Sequence, residues 1–104
     1  MVVRELTKGE FGDFIKEGFV IIDFSADWCM PCVMMGPIFE DLSGKFEGKI
    51  KFGKINVEES PEIASKYGVS SIPNFVLLKD GEKVEQFVGS LSEEGFEEKL
   101  KSFL

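Results

Sequence analysis

The chain has 104 residues, of which 43% are hydrophobic and 11 are Phe, enough apolar material for one compact core. Its 19 acidic and 12 basic residues leave a formal charge of −7, which on balance repels phosphate backbones and anionic lipid, so neither nucleic acid nor membrane is an expected partner. There is no His, which excludes Ser/His and Cys/His catalysis, imidazole haem ligation and the usual Cys/His zinc sites, and leaves two cysteines.

A single domain over residues 1–104 is expected. The first residues contain no apolar stretch of signal-peptide length, and no window is long enough to cross a bilayer, so a cytoplasmic location is expected. A leading strand is expected over 2–4. Thr7 and Glu10 then have capping-box spacing, Phe11, Phe14 and Ile15 fall on one helical face, and Gly18 supplies a stop. Residues 19–24 form a nearly unbroken apolar run of strand length, the pattern of a central strand covered on both faces, with Asp23 inside it.

A second helix is expected over 29–46, with Met34, Met35, Ile38, Phe39 and Leu42 at core spacing and a kink at Pro37, which removes one backbone donor. A strand follows over 50–57. Ser60-Pro61 reads as an N-cap with Pro at the first helical position, Ile63 and Tyr67 continue that helix, and Gly68 closes it. Strands over 72–78 and 83–88 flank Asp80-Gly81, a hairpin signal. Ser92 opens a last helix with Phe96, Leu100 and Phe103 on one stripe. Strands alternating with helices imply an α/β fold of three layers, its sheet largely parallel and closed by an antiparallel pair.

The chemistry gathers at Trp28-Cys29-Met30-Pro31-Cys32, directly after the buried strand and at the mouth of the second helix. Cysteines three apart in a first helical turn share a face, at a separation that a disulfide spans. Their positions differ. Cys29 stands at the helix N-terminus, where free N–H groups and the macrodipole favour a thiolate, so it is read as the exposed nucleophile and Cys32 as the buried resolving thiol. A structural disulfide closing so short a loop would constrain the unfolded chain little, and zinc would need two further ligands. Cys-x-x-Cys after a strand in a βαβ pattern is instead a redox signature. Trp28, taken alone, reads as core filling.

Asp23 is costly to ionise inside an apolar strand, so burial is expected to raise its pKa and suit it to proton transfer near neutral pH. The alternative is a carboxyl that only caps or salt-bridges. Lys54 follows Ile50 and Phe52 in strand phase, which turns its stem toward an apolar face.

Residues 23–32, then Pro37, Lys54-Ile55-Asn56-Val57, Tyr67-Gly68-Val69, Ser71-Ile72-Pro73, Asp80-Gly81 and Val88-Gly89 resemble the motifs of the thioredoxin family, in that family's order and spacing, essentially end to end. The resemblance implies a thioredoxin fold, with a central mixed sheet of four to five strands flanked by helices on both faces. It implies a thiol–disulfide oxidoreductase in which Cys29 attacks a disulfide of a protein substrate, a mixed disulfide forms, and Cys32 releases the reduced target. A flavin- or ferredoxin-linked thioredoxin reductase would then restore the dithiol. No cofactor beyond the Cys29–Cys32 pair, no metal and a monomer are expected. Pro73 would be cis and beside the sulfurs, leaving the Ile72 backbone free to pair with an extended substrate segment. Trp28, Met30, Pro31, Ile72 and Gly89 would frame a shallow apolar docking surface, against the alternative that Ile72 is ordinary core. Lys54 would lie near Asp23 and tune it.

Two departures stand out. The family usually carries Gly-Pro between its cysteines, and here the pair is Met30-Pro31. Strongly oxidising relatives place a His there, whose charge stabilises the thiolate and hence the reduced form. Met30 brings no charge, so reducing activity is expected, while its bulk either shields Cys29 or adds contact with targets. Asn74 stands where Thr is common. Two other uses of the cysteines stay open at this point: a protein disulfide isomerase or oxidase of less negative potential, and a non-enzymatic binding module or a holder of an iron–sulfur cluster between two chains.

Overall fold

The apolar run beginning at Phe19 becomes the middle strand of a five-stranded sheet, because covering both of its faces removes more apolar surface from water than any edge position would. The structure is a computed structural model and describes residues 3–104. In chain order it runs β1 (Val3–Glu5), α1 (Lys8–Phe14), β2 (Phe19–Ser25), α2 (Met30–Lys45), β3 (Ile50–Asn56), α3 (Pro61–Lys66), β4 (Asn74–Lys79), β5 (Glu82–Val88) and α4 (Glu93–Lys101). The sheet order is β1-β3-β2-β4-β5. The pairs β1/β3 and β2/β3 are parallel, whereas β2/β4 and β4/β5 are antiparallel. The expected α/β architecture with a mixed sheet is thus observed.

Strand alternation divides the core in two. Ile21, Phe52, Phe75 and Leu77 pack on one side with Met35, Phe39 and Leu42 of α2 and Phe96 and Leu100 of α4. Val20, Ile22, Phe24 and Ile55 pack on the other with Phe11 of α1 and Ile63 and Ala64 of α3. Phe39 holds the first cluster together, its ring centroid 4.8 Å from Phe52 and 5.7 Å from Phe75. On the second side Gly53 permits close approach: a Cβ there would stand 2.8 Å from Phe14 Cε2 and 2.9 Å from Leu6 Cδ1.

The local signals act as their chemistry requires. Glu10 Oε1 accepts from the Thr7 N–H at 2.9 Å, and Ser92 Oγ accepts from the Gly95 N–H at 3.1 Å. Asp80 and Gly81 turn the β4–β5 hairpin with φ of 50° and 86°. The Asp80 carboxylate also accepts from the Gly18 N–H at 2.7 Å, tying the hairpin to the start of β2.

Several expectations are corrected. Met34 is 68% exposed and not in the core, because the adjacent Met35 occupies the inward position. The second helix, by contrast, matches its expected extent, running from Met30 to Lys45 with Cys29 and Phe46 as its caps and Pro37 inside it. The fourth strand begins at Asn74, not at 72, since Pro73 has no N–H to give a ladder. Ser60 sits at the N-cap of α3 but its side chain makes no capping bond. The first strand ends at Glu5, and the expected contribution of Val2 lies outside the described residues.

Candidate active site

The end of β2 delivers the chain through Ala26, Asp27 and Trp28 to Cys29, whose N–H donates to the Ala26 carbonyl at 3.2 Å. Cys29 has extended φ and ψ, as an N-cap must, and its Sγ accepts from the Cys32 N–H at 3.3 Å. Pro31 has no N–H, so the Cys32 amide is the donor from this turn that reaches the sulfur. The two cysteines are joined as a disulfide, with Cα atoms 5.3 Å apart. A sulfur that becomes a thiolate at Cys29 therefore finds a hydrogen-bond donor and the positive end of α2 already in place.

Exposure does not separate the cysteines as expected. Each is only 5% exposed in the disulfide form, and both pack with Ala26, Val57 and Ile72. The bulky neighbours that surround the pair cover Cys29 along with Cys32. What distinguishes Cys29 is its place at the helix start and the amide that its sulfur accepts from.

On β2, Asp23 is 2% exposed, and its Oδ1 has no hydrogen-bond partner among the described residues. Alternation puts it on the same side of the sheet as Ile21, the side covered by α2 and α4. Burial pushes its carboxyl from an ordinary 3.8 up to about 7, against the opposing pull of the Lys54 ammonium. Lys54 is its register partner on β3, and Phe75 flanks it on β4. Lys54 is half-buried and, with Ser25, Asp27, Asn56 and Glu59, lines a polar recess of about 100 Å³ at the carboxyl ends of these strands.

Around the cysteines the surface is unusually apolar. Trp28 is 69% and Met30 65% exposed, so Trp28 lies at the surface and is not core filling, the alternative for it taken alone, and Pro31 is exposed beside them. Ile72 is half-buried and touches the cysteine group, so it is neither free surface nor deep core. The Ile72–Pro73 peptide is cis, and Pro73 is buried. The Gly89 N–H donates to the Pro73 carbonyl at 2.8 Å from a backbone with φ of 94°.

Three features escaped the sequence reading. Val33 and Met34 are exposed and extend the apolar face along α2, a relation visible in their four-residue spacing from Cys29 and Met30. Val88 is also exposed, next to Gly89. Finally, Asn74 is buried, and it donates to the Ser71 carbonyl at 3.2 Å and accepts from Gln86 Nε2 at 2.9 Å. Gln86 also donates to the Tyr67 carbonyl at 3.0 Å, so the pair braces the loop that carries Ile72. No sequence pattern signals that contact. A cavity of about 580 Å³ between α1, the end of α2 and β3 includes neither cysteine. Among the described residues there is no cluster of His, Cys, Asp and Glu fit to hold a metal ion, and no helix is long and apolar enough to cross a membrane.

The sequence profile of the family described as Thioredoxin matches residues 2–102. Proteins named Thioredoxin from Staphylococcus epidermidis and Staphylococcus saprophyticus are 39% and 38% identical over 104 residues, covering all of both chains. A solved chain is 35% identical with a TM-score of 0.86, covering 96% of this chain and 94% of its own. It comes from work on the thiol-resolving mechanism of yeast mitochondrial 1-Cys peroxiredoxin via glutathione/thioredoxin systems.

Proposed function

Because this chain belongs to the thioredoxin family and is a thiol–disulfide oxidoreductase that reduces protein disulfides, we propose that Cys29 attacks the target and Cys32 resolves the mixed disulfide. The observation that carries this division is the Cys32 N–H aimed at Cys29 Sγ across the first turn of α2. That donor and the helix terminus lower the free energy of a thiolate at Cys29 and leave Cys32 to be deprotonated by another group.

Attack by the Cys29 thiolate forms an S–S bond to one target sulfur and releases the other as a thiolate. Cys32, once deprotonated, attacks Cys29 Sγ, closing the intramolecular disulfide and releasing the second target thiolate. Asp23 is the group suited to take the Cys32 proton, since burial brings its carboxyl to about 7 and leaves Oδ1 unpaired. Lys54 tunes Asp23 by its charge.

Trp28, Met30, Pro31, Ile72, Pro73 and Gly89 form the docking surface, and exposed apolar side chains around the disulfide support this reading. The Ile72 amide and carbonyl pair with no other backbone group among the described residues, which leaves them for an extended substrate segment. The whole chain acts as one domain and a monomer in the cytoplasm, with no cofactor beyond its disulfide. Its reductase is flavin- or ferredoxin-linked. A redox titration against glutathione tests the direction of the chemistry: a potential clearly more negative than that of glutathione supports a reductase, and one less negative favours an isomerase or oxidase.

A further inference from the structure

Met30 and Met34 lie four residues apart on α2, so their thioethers share one exposed helix face, and Met30 stands between the two cysteines in the chain. They are 65% and 68% exposed, whereas Met35 is 2% exposed and packs against Phe39 and the sheet. We propose that Met30 and Met34 are a second redox-responsive site, at which hydroperoxides convert both thioethers to sulfoxides and thereby switch off docking of protein substrates.

The chemistry is oxygen transfer. The thioether sulfur gives a lone pair to one peroxide oxygen, an S–O bond forms as the O–O bond breaks, and the other oxygen takes up the proton and leaves as water from hydrogen peroxide or as an alcohol from an organic hydroperoxide. Methionine is oxidised and the hydroperoxide reduced, with no electrons drawn from the cysteines. The order of events follows from the site. A thiolate is the better nucleophile, so the open dithiol responds first and ends as the Cys29–Cys32 disulfide. In that closed form no thiolate remains, and the exposed thioethers are the next sulfurs that the oxidant meets. Each sulfoxide replaces a flexible apolar surface with a polar one, at the place where an apolar target would lie. This consequence rests on the docking surface proposed above, and the oxidation itself does not.

The test begins with the whole chain in its disulfide form, exposed to hydrogen peroxide and followed by peptide mass spectrometry. Met30 and Met34 should each gain one oxygen at least about ten-fold faster than Met35. Equal rates at all three, or no gain at Met30 and Met34 while free methionine is consumed, overturns the proposal. A dithiol reductant then reopens the disulfide and leaves the sulfoxides. The treated protein should reduce protein disulfides at least about three-fold more slowly, react with a small aromatic disulfide at an unchanged rate, and recover with methionine sulfoxide reductase. Unchanged protein reduction with both sulfoxides present overturns the switch. In M30L M34L the ratio of treated to untreated rates should stay near one, and a loss equal to that of the parent overturns the assignment. Failure of the docking reading is separable: Trp28→Ala reducing proteins at the parental rate removes that reading and leaves the mass result intact.

Discussion

Asp23 on β2 stands directly across the parallel register from Lys54 on β3, so the one charge that opposes protonation of this buried carboxyl comes from the adjacent strand. Burial still prevails, and the folded protein holds the Asp23 proton up to about 7 where the unfolded chain releases it near 3.8. Below 3.8 both states carry the proton. Between the two values the folded state binds more protons, so stability falls as pH rises, levelling off above about 7 after a loss on the order of 4 kcal/mol. Asp23→Ala should therefore be more stable than the parent by roughly 2–4 kcal/mol at about pH 8 and within about 1 kcal/mol of it at about pH 4. Denaturation midpoints at the two pH values check this. The same variant should prolong mixed-disulfide lifetimes, because Cys32 loses its proton acceptor, with less effect on the first attack. No gain in stability at alkaline pH together with parental resolution would reduce Asp23 to a structural carboxyl.

Removing the opposing charge should act in the other direction. In Lys54→Met the Asp23 carboxyl holds its proton to higher pH, so the pH profile for mixed-disulfide resolution should move upward. At neutral pH resolution should slow by roughly two- to five-fold. A profile superposable on the parent's would show that Lys54 does not tune the site.

Gln86 and Asn74 make a prediction about the loop before Pro73. Gln86→Ala leaves the buried Asn74 Oδ1 without its donor and the Tyr67 carbonyl without Gln86 Nε2. The cost should be about 1–3 kcal/mol, read as a lowered denaturation midpoint. A change below about 0.5 kcal/mol would mean that water replaces both bonds.

Met30 bears on approach to Cys29. If its bulk over the disulfide limits access, Met30→Gly should speed reaction with small disulfides by roughly two- to five-fold and protein substrates less, since a protein can bury the Met side chain against its own surface. Rates with both substrate types decide. A uniform change would point to an altered potential instead.

The parts legible in the sequence are those set by short-range chemistry. The apolar run from Phe19, the Thr7–Glu10 spacing, the Asp80-Gly81 turn and the Cys-x-x-Cys at a helix start each carry their cause within a few residues. The phase of Lys54 along its strand turns its stem toward an apolar face, but its place beside Asp23 came from the family resemblance and their pairing needed the register. What failed depends on covering. Met34 and Met35 both belong to an apolar helix, and only packing decides which faces the sheet and which remains outside. The burial of Cys29 depends on neighbours far apart in the chain, Val57 just after β3 and Ile72 just before β4. The Asn74–Gln86 brace joins β4 to β5 through side chains whose identities mark neither strand nor turn.

The central claim, that the thiol at the helix start attacks and the one a turn deeper resolves, is tested by trapping. Reduced Cys32→Ser and Cys29→Ser are each mixed with a disulfide-containing protein and analysed by mass spectrometry without reductant. Cys32→Ser should accumulate a mixed disulfide through Cys29, because attack is intact and resolution is lost, while Cys29→Ser should capture essentially nothing. Equal adducts from the two variants, or capture by Cys29→Ser alone, would contradict the assignment.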